Sequence, residues 1–171
     1  MSSRAHSSGS PDDRGYLAAY VPAMREALAE AALAVAESGT AAADVPVGAV
    51  LVDGAGSVVA RGHNRREADS DPTAHAEIVV MRRAAARRGT WRLDGLTLVV
   101  TLEPCIMCAG AVTAARLDRL VYGAADPRSG AAGSVWDLLH DRRLGHEAEV
   151  LGGVLESECG DLLREFFRSR R

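Results

Sequence analysis

Two cysteines separated by two residues lie where the sequence changes from a strand pattern to a helix pattern. The run "GLTLVVTLEP" is an apolar strand ended by Pro104, and "CIMCAGAVTAARL" continues as a helix rich in small residues. Cys105 and Cys108 therefore lie at a helix start, where free N–H groups and the helix dipole favour thiolates. Their spacing lets both sulfur atoms reach one ion, so the motif predicts half of a zinc site.

His75 is the predicted third ligand. It stands in "DPTAHAEIVV", whose Asp, Pro and Thr are helix start signals, so His75 also lies at a predicted helix N-terminus. Three protein ligands are typical of a catalytic zinc that keeps a water. Glu77 lies two residues later and reaches the same pocket only if His75 occupies the first turn. A carboxylate placed there takes a proton from the water and delivers it to a substrate.

Each of these residues, taken singly, also has a structural explanation. A lone His before a helix is more often a cap, a lone C-x-x-C also suits a redox pair, and Glu77 alone suits the helix dipole. A closed structural zinc with Cys159 as fourth ligand is a sharper alternative. We discount it because Cys159 falls on the apolar stripe of the last predicted helix, where a free thiol packs as a small hydrophobic group.

The order of predicted elements indicates an α/β/α layered domain around a mixed sheet. Apolar residues three and four apart, from Leu17 to Val35, predict an amphipathic helix, which a hairpin in "VPVGAVLVDGAGSVVARGHN" follows. After the two metal-bearing helices, "RLVYGAA" and "AEVLGGVL" are predicted strands, "VWDLLH" a short helix and "ESECGDLLREFFRSRR" a closing helix. Residues 16–171 are predicted to form one domain, and residues 1–15 a mobile tail.

The basic residues are all arginine, 20 in number, and the formal net charge is −3. This charge argues against a general nucleic-acid binder. The arginines are nevertheless clustered in "NRRE", "MRRAAARRG", "HDRRLG" and "FFRSRR", so a local positive surface is compatible with an acidic total. Three cysteines, two of them in one short motif, indicate a reducing compartment and predict a cytoplasmic protein. No segment reaches the apolar length of a membrane span.

The motif H-A-E followed by P-C-x-x-C resembles that of the zinc-dependent cytidine deaminase superfamily. Longer strings are similar to the bacterial tRNA-specific adenosine deaminases within it, namely "VPVGAVLV", "GHNRRE", "DPTAHAEI", "TLEPCIMCAGA", "GAADPRSGAAGS" and "LLREFFRSRR". The resemblance implies a three-layer cytidine-deaminase-like fold with a mixed five-stranded sheet. It implies one zinc ion per subunit, with His75, Cys105 and Cys108 as ligands and Glu77 as proton shuttle. The implied reaction is hydrolytic deamination of adenosine to inosine at the first anticodon base of tRNA.

The resemblance also implies contacts with RNA. Asn64 matches a residue that contacts the flipped nucleoside, and Asp126 matches one that contacts an anticodon-loop ribose. The C-terminal helix matches one that helps bind the RNA, through Phe167, Arg168 and Arg171. From the residues alone, Asn64 is a turn former, Asp126 a turn acid, the phenylalanine a core residue and the arginines favourable helix-end charges. The expected partners are a tRNA anticodon stem-loop and a second copy of the chain, because the family forms homodimers.

Two other functions remain open at this point. One is a deaminase of a free purine base or nucleoside, similar to guanine deaminases, which needs no arginine patch. The other is a non-enzymatic, zinc-dependent subunit that binds RNA or a catalytic partner. Glu77 disfavours the second function, because a binding module has no use for a proton shuttle.

Overall fold

One mixed sheet organises the part of the chain that the structure, a computed structural model, describes: residues 11–38 and 43–170. The helices are α1 (Pro11–Ala18), α2 (Val21–Ser38), α3 (Ala76–Arg88), α4 (Ile106–Ala114) and α5 (Glu156–Arg168), with a 3₁₀ turn at Arg142–Leu144. The strands are β1 (Gly48–Val52), β2 (Val58–His63), β3 (Thr97–Leu102), β4 (Arg119–Ala124) and β5 (Glu149–Gly152). The predicted mixed five-stranded sheet is confirmed.

The strand order β2-β1-β3-β4-β5 brings four strand ends to one edge of the sheet. Strand β1 is antiparallel to both β2 and β3, whereas β3, β4 and β5 run parallel. Gly48 pairs with His63, and Leu102 pairs with Ala124. The start of β1 and the ends of β2, β3 and β4 therefore lie along the same edge, which is where ligands bind in open α/β sheets.

Alternate strand residues separate two layers of helices. Leu98 and Val100 of β3 lie in a core with residues of α3 and α4, whereas Val99 lies in a second core with residues of α2 and α5. Strands β1 and β3 are buried almost throughout, because helices cover both faces of the sheet. The predicted α/β/α layering is confirmed.

The first predicted helix differs from the structure in its continuity and in its buried face. The chain turns at Ala19 and Tyr20, so α1 and α2 are separate helices. The buried face of α2 is mostly alanine, and Val35, predicted to belong to it, is 40% exposed. Small side chains let this helix lie close to the sheet.

No helix within the described residues combines the length and apolar character that crossing a bilayer requires.

Helix α1 overlaps the segment predicted as a mobile tail. Residues 1–10 lie outside the described residues, but residues 11–15 are helical, and Pro suits the first turn of a helix. Tertiary contacts hold the end of this helix. The Tyr16 hydroxyl donates to a Glu149 carboxylate oxygen at 3.2 Å, and Arg119 pairs with Glu149 at 2.6 Å. Composition alone does not reveal such anchors.

The segment "VWDLLH" was predicted as a short helix, and this prediction is wrong. Ala132 and Asp137 form an isolated β-bridge, and the Leu138 N–H donates to the Ala131 carbonyl at 3.0 Å. The segment folds back on the preceding loop, so its backbone groups pair there rather than within a helical turn. Leu139 is fully buried, which explains the apolar pattern.

Arginines of α3 cover the exposed edge of the sheet. Strand β2 is an edge strand, and the Arg83 and Arg87 side chains donate to the carbonyls of Arg61 and Val59, at 2.7 Å and 2.6 Å. Edge carbonyls satisfied in this way are less able to pair with a strand of another chain. The arginine cluster in "MRRAAARRG" is therefore partly structural.

Gly48 lies where α2 passes directly over β1. An added Cβ atom would lie 2.0 Å from the Ala27 carbonyl oxygen and 2.4 Å from the Ala31 nitrogen, both backbone atoms. We expect Gly48→Ala to lower the free energy of unfolding by about 2–3 kcal/mol, because the helix must shift. Urea denaturation measures the change. Gly54→Ala is the matched control, since its Cβ atom meets nothing within 4 Å; equal stability of the two variants would contradict this close packing.

Candidate active site

Four chain segments meet beyond the sheet edge formed by the start of β1 and the ends of β2, β3 and β4. They carry Val45, Asn64, Cys105 and Asp126, all of which line one cavity. The start of α3 and side chains of α5 complete its wall. The cavity volume is about 430 Å³, within the range of roughly 300–1,000 Å³ that is usual for small-molecule sites.

The three predicted metal ligands lie at two helix N-termini, as expected. His75 is the N-cap residue of α3, and Cys105 is that of α4. The His75 Nδ1 atom lies 3.7 Å from Cys105 Sγ and 3.6 Å from Cys108 Sγ. Tetrahedral zinc, with bonds of about 2.3 Å to sulfur and about 2.0 Å to nitrogen, separates such ligand atoms by about 3.5 Å. The three side chains are therefore positioned to bind one zinc ion.

The two thiols differ in how readily they lose a proton. Hydrogen bonding from Cys108 lowers the pKa of Cys105 to about 4; burial opposes this effect and a hydrogen bond to His75 supports it. The pKa of Cys108 is raised, because its proton is shared with Cys105 and because the side chain is buried. A coordinating sulfur is a thiolate, so the lowered pKa of Cys105 favours metal binding and Cys108 loses its proton when a metal binds.

Glu77 combines burial with access to the cavity. It lies in the first turn of α3, is 4% exposed, and contributes to the cavity wall. The sequence condition for its role is met, because His75 is the N-cap residue immediately before that turn. Burial raises the pKa of the Glu77 carboxyl group, against the opposing effect of nearby His75. A carboxyl group with a raised pKa is well suited to accept and return a proton.

Asn64 follows β2 and lies in the cavity wall. Its Nδ2 atom donates to the Val45 carbonyl at 3.2 Å, and its Oδ1 atom accepts from the Arg66 N–H at 3.4 Å. The second contact is the turn role that the residue type alone predicts. Buried Asp44 accepts two successive backbone N–H groups of the same loop. Asn64 therefore shapes its loop and also faces the cavity.

Asp126 likewise has both of the roles considered from the sequence. Its carboxylate accepts the Arg128 N–H at 2.9 Å and the Ser129 hydroxyl at 2.5 Å, as a turn acid does. Partial burial acts against the charged form, but these hydrogen bonds outweigh it and lower the Asp126 pKa. The residue also lines the cavity, on the side opposite the loop of Asn64 in the strand order.

The C-terminal helix contributes unequally to the site. Leu163 and Phe167 line the cavity, and Phe167 is 45% exposed. Its neighbour Phe166 is buried, which is the core role considered for these phenylalanines. Arg168 is exposed and lies outside the cavity lining, whereas Arg171 lies outside the described residues.

Cys159 is remote from the metal ligands. It is 1% exposed and packs with Val99 and Val121 in the core between the sheet and α5. The ligand cysteines lie at the start of α4, on the opposite face of the sheet. A closed zinc site with Cys159 as fourth ligand is therefore excluded by this topology.

Glu103 is a residue that the sequence analysis missed. It follows β3, is 2% exposed, lines the cavity and accepts hydrogen bonds from the loop after β4. Its only signal in the sequence is an acidic residue that closes an apolar strand directly before the C-x-x-C motif. Which loop it binds depends on the pairing of β3 with β4, which no local pattern specifies.

Comparisons with known proteins agree with this geometry. The profile of the cytidine and deoxycytidylate deaminase zinc-binding region matches residues 22–124. A solved structure from studies of A-to-I editing by tRNA:A34 deaminases at the wobble position has a TM-score of 0.77 and 44% identity, over 83% of this chain and 99% of the other. A guanine deaminase from Bacillus subtilis has a TM-score of 0.56 and 33% identity, over 68% of this chain and 69% of the other.

A curated relative is more similar in sequence. The tRNA-specific adenosine deaminase of Bacillus subtilis is 51% identical over 148 residues, which cover 86% of this chain and 88% of the relative. That match extends beyond the zinc-binding region to most of both proteins. The chain therefore belongs to the tRNA-specific adenosine deaminase family, within the zinc-dependent cytidine deaminase superfamily.

Proposed function

We propose that this protein hydrolyses adenosine to inosine at the first anticodon base of tRNA. The observation that carries the proposal is the cluster of His75, Cys105 and Cys108, whose first two members line one cavity together with buried Glu77. The names of the relatives specify the substrate: tRNA-specific adenosine deaminase in one case and tRNA:A34 deaminase in another.

The side chains of the site divide the chemistry between them. His75, Cys105 and Cys108 hold the zinc ion, which when bound makes a water acidic enough to act as a nucleophile near neutral pH. Glu77 accepts a proton from the attacking water and delivers it to ring N1 as the hydroxyl oxygen bonds to C6. Glu77 then carries the proton of the new C6 hydroxyl group to the amino group, the C6–N bond breaks as the C6=O bond forms, and ammonia leaves. Inosine is the product.

The cavity rim supplies the contacts to RNA. Asn64 contacts the base that is turned out of the anticodon loop, and Asp126 contacts a ribose. Phe167 offers an exposed aromatic ring to an unstacked base. Arg66 and Arg128 line the cavity and are exposed, so their guanidinium groups suit phosphate oxygens. Arg168 adds an exposed guanidinium group beyond the cavity lining. For Arg171, which lies outside the described residues, the proposed RNA contact rests on the family resemblance alone. We also propose a cytoplasmic location, because a tRNA substrate and the use of two of the three cysteines in one metal-binding motif suit a reducing compartment.

A side-by-side deamination assay tests the substrate. The zinc-loaded protein is incubated with a tRNA whose anticodon begins with adenosine, the same tRNA with guanosine there, and free adenosine, cytidine and guanine. We expect inosine only at the wobble position of the first RNA, because the rim residues bind nucleotides flanking the base. Turnover of free guanine with the RNA untouched would instead establish the purine deaminase alternative, which the likeness to a guanine deaminase keeps open.

Two substitutions separate the proton shuttle from the metal ligands. We expect Glu77→Gln to retain zinc and to lose activity by about 10²–10⁴-fold, because the proton transfers lose their carrier. Cys108→Ala is expected to lose both zinc and activity. Elemental analysis measures zinc, and ammonia release measures activity. Cys159→Ala is the control that keeps both; full activity of the Glu77 variant would refute the shuttle role.

We further propose that the protein is a homodimer, as the family resemblance implies. Helices α3 and α4, together with the segment that follows α3, form a largely apolar groove lined by Ile78, Met81, Arg82, Ala85, Trp91, Leu93, Ala111, Ala114 and Ala115. Trp91 is 60% exposed in the single chain. Small alanines on both helices let a second copy approach closely. Burying a large aromatic side chain among them supplies the apolar area that an interface core needs.

Size-exclusion chromatography with light scattering measures the molar mass of the protein and so tests the dimer. We expect twice the 18.0 kDa mass of one chain for the natural sequence. Ala85→Glu is expected to yield monomers, because it places a charge in the groove. Ala86→Glu is the matched control, since Ala86 is exposed and does not line the groove. A dimer that survives Ala85→Glu would place the interface elsewhere.

A further inference from the structure

Glu103 receives four hydrogen bonds although almost none of it is exposed. Its Oε1 atom accepts the N–H groups of Ala132 and Ser134, each at 3.0 Å. Its Oε2 atom accepts the N–H of Asp126 at 2.9 Å and the Ser134 hydroxyl. All four donors belong to residues 126–134, here named the rim loop. A single carboxylate therefore binds both ends of this loop.

The rim loop is closely fitted around that carboxylate. A Cβ atom at Gly130 would lie 2.4 Å from the Glu103 carboxyl group, so only glycine allows the approach. The Ala131 N–H donates to the Pro104 carbonyl at 2.8 Å, and Gly130 forms a β-bridge with Cys105. The loop that carries Asp126 therefore binds three consecutive residues: Glu103, Pro104 and the metal ligand Cys105.

We propose that Glu103 is a positioning residue that fixes the rim loop relative to the metal ligands and so sets the cavity wall that receives the substrate. This inference rests on the proposed function for its effect on RNA. Both oxygens face donors, so the position requires a group that accepts at both ends. A glutamine amide would turn one N–H₂ group toward backbone N–H donors, which cannot reorient, and buried donors would lose their partners. Glu103 touches no reacting atom in this scheme.

Glu103→Gln tests the proposal through amide exchange and through kinetics. We expect hydrogen exchange to become faster in the rim loop alone, with one zinc ion per chain retained. With an anticodon stem-loop substrate, KM is expected to rise about tenfold while kcat changes less, because the loop orients substrate rather than moving protons. Glu26→Gln is the matched control, since Glu26 is an exposed glutamate on α2 paired with Arg61. It should leave exchange and KM unchanged.

Ser134→Ala is a milder second variant, because it removes one donor and leaves the three backbone donors in place. We expect faster exchange in the same residues, to a smaller extent. Glu103→Asp, which keeps an acceptor at both oxygens, should recover part of the protection lost in Glu103→Gln.

Unchanged exchange and unchanged KM in Glu103→Gln would overturn the proposal, and so would loss of zinc accompanied by general loss of protection. Amide exchange needs no substrate. If the natural sequence were inactive toward RNA, the proposed function would be refuted, and the exchange measurement would still decide whether Glu103 fixes the rim loop.

Discussion

The convergence of two helix N-termini above one sheet edge is the constraint on which the rest of the site depends. His75 precedes α3 and Cys105 precedes α4, and the three ligand atoms lie within 4.8 Å of one another. Cysteine binds zinc as a thiolate, and the N-terminal end of α4 favours that form through free N–H groups and the helix dipole. The same arrangement places Glu77 in the first turn, where its carboxyl group reaches the cavity while remaining buried.

The edge itself is a consequence of the reversed strand β1. Because β1 is antiparallel to β3, its starting end lies beside the finishing ends of β2, β3 and β4. A fully parallel sheet would place the residues before β1 at the opposite edge, and Val45 would be remote from Cys105. One hairpin therefore lets loops from four segments surround a single cavity. Glu103 then joins two of these segments, since it leaves β3 and binds the loop that follows β4.

The arginines serve several purposes in a chain whose 23 acidic residues give it a net charge of −3. Arg83 and Arg87 satisfy carbonyls on the β2 edge, and Arg119 fastens α1 through Glu149. Arg66 and Arg128 instead lie at the cavity rim. The arginines are thus divided between structural positions and positions that line the cavity. The planar guanidinium group suits both uses, because it donates several hydrogen bonds in fixed directions.

The resemblance of longer sequence strings to known proteins identified the family. The sequence by itself determined three side chains suited to bind zinc, the carboxylate beside them and the layered α/β/α class. These follow from short motifs and from hydrophobic periodicity, whose physical basis is local. The tertiary structure alone decided that "VWDLLH" folds back as a turn, that Glu149 forms a hydrogen bond with α1, and that Glu103 forms hydrogen bonds with the rim loop. Each depends on contacts between residues distant in sequence. Strand order and packing create those contacts, and no local propensity encodes them.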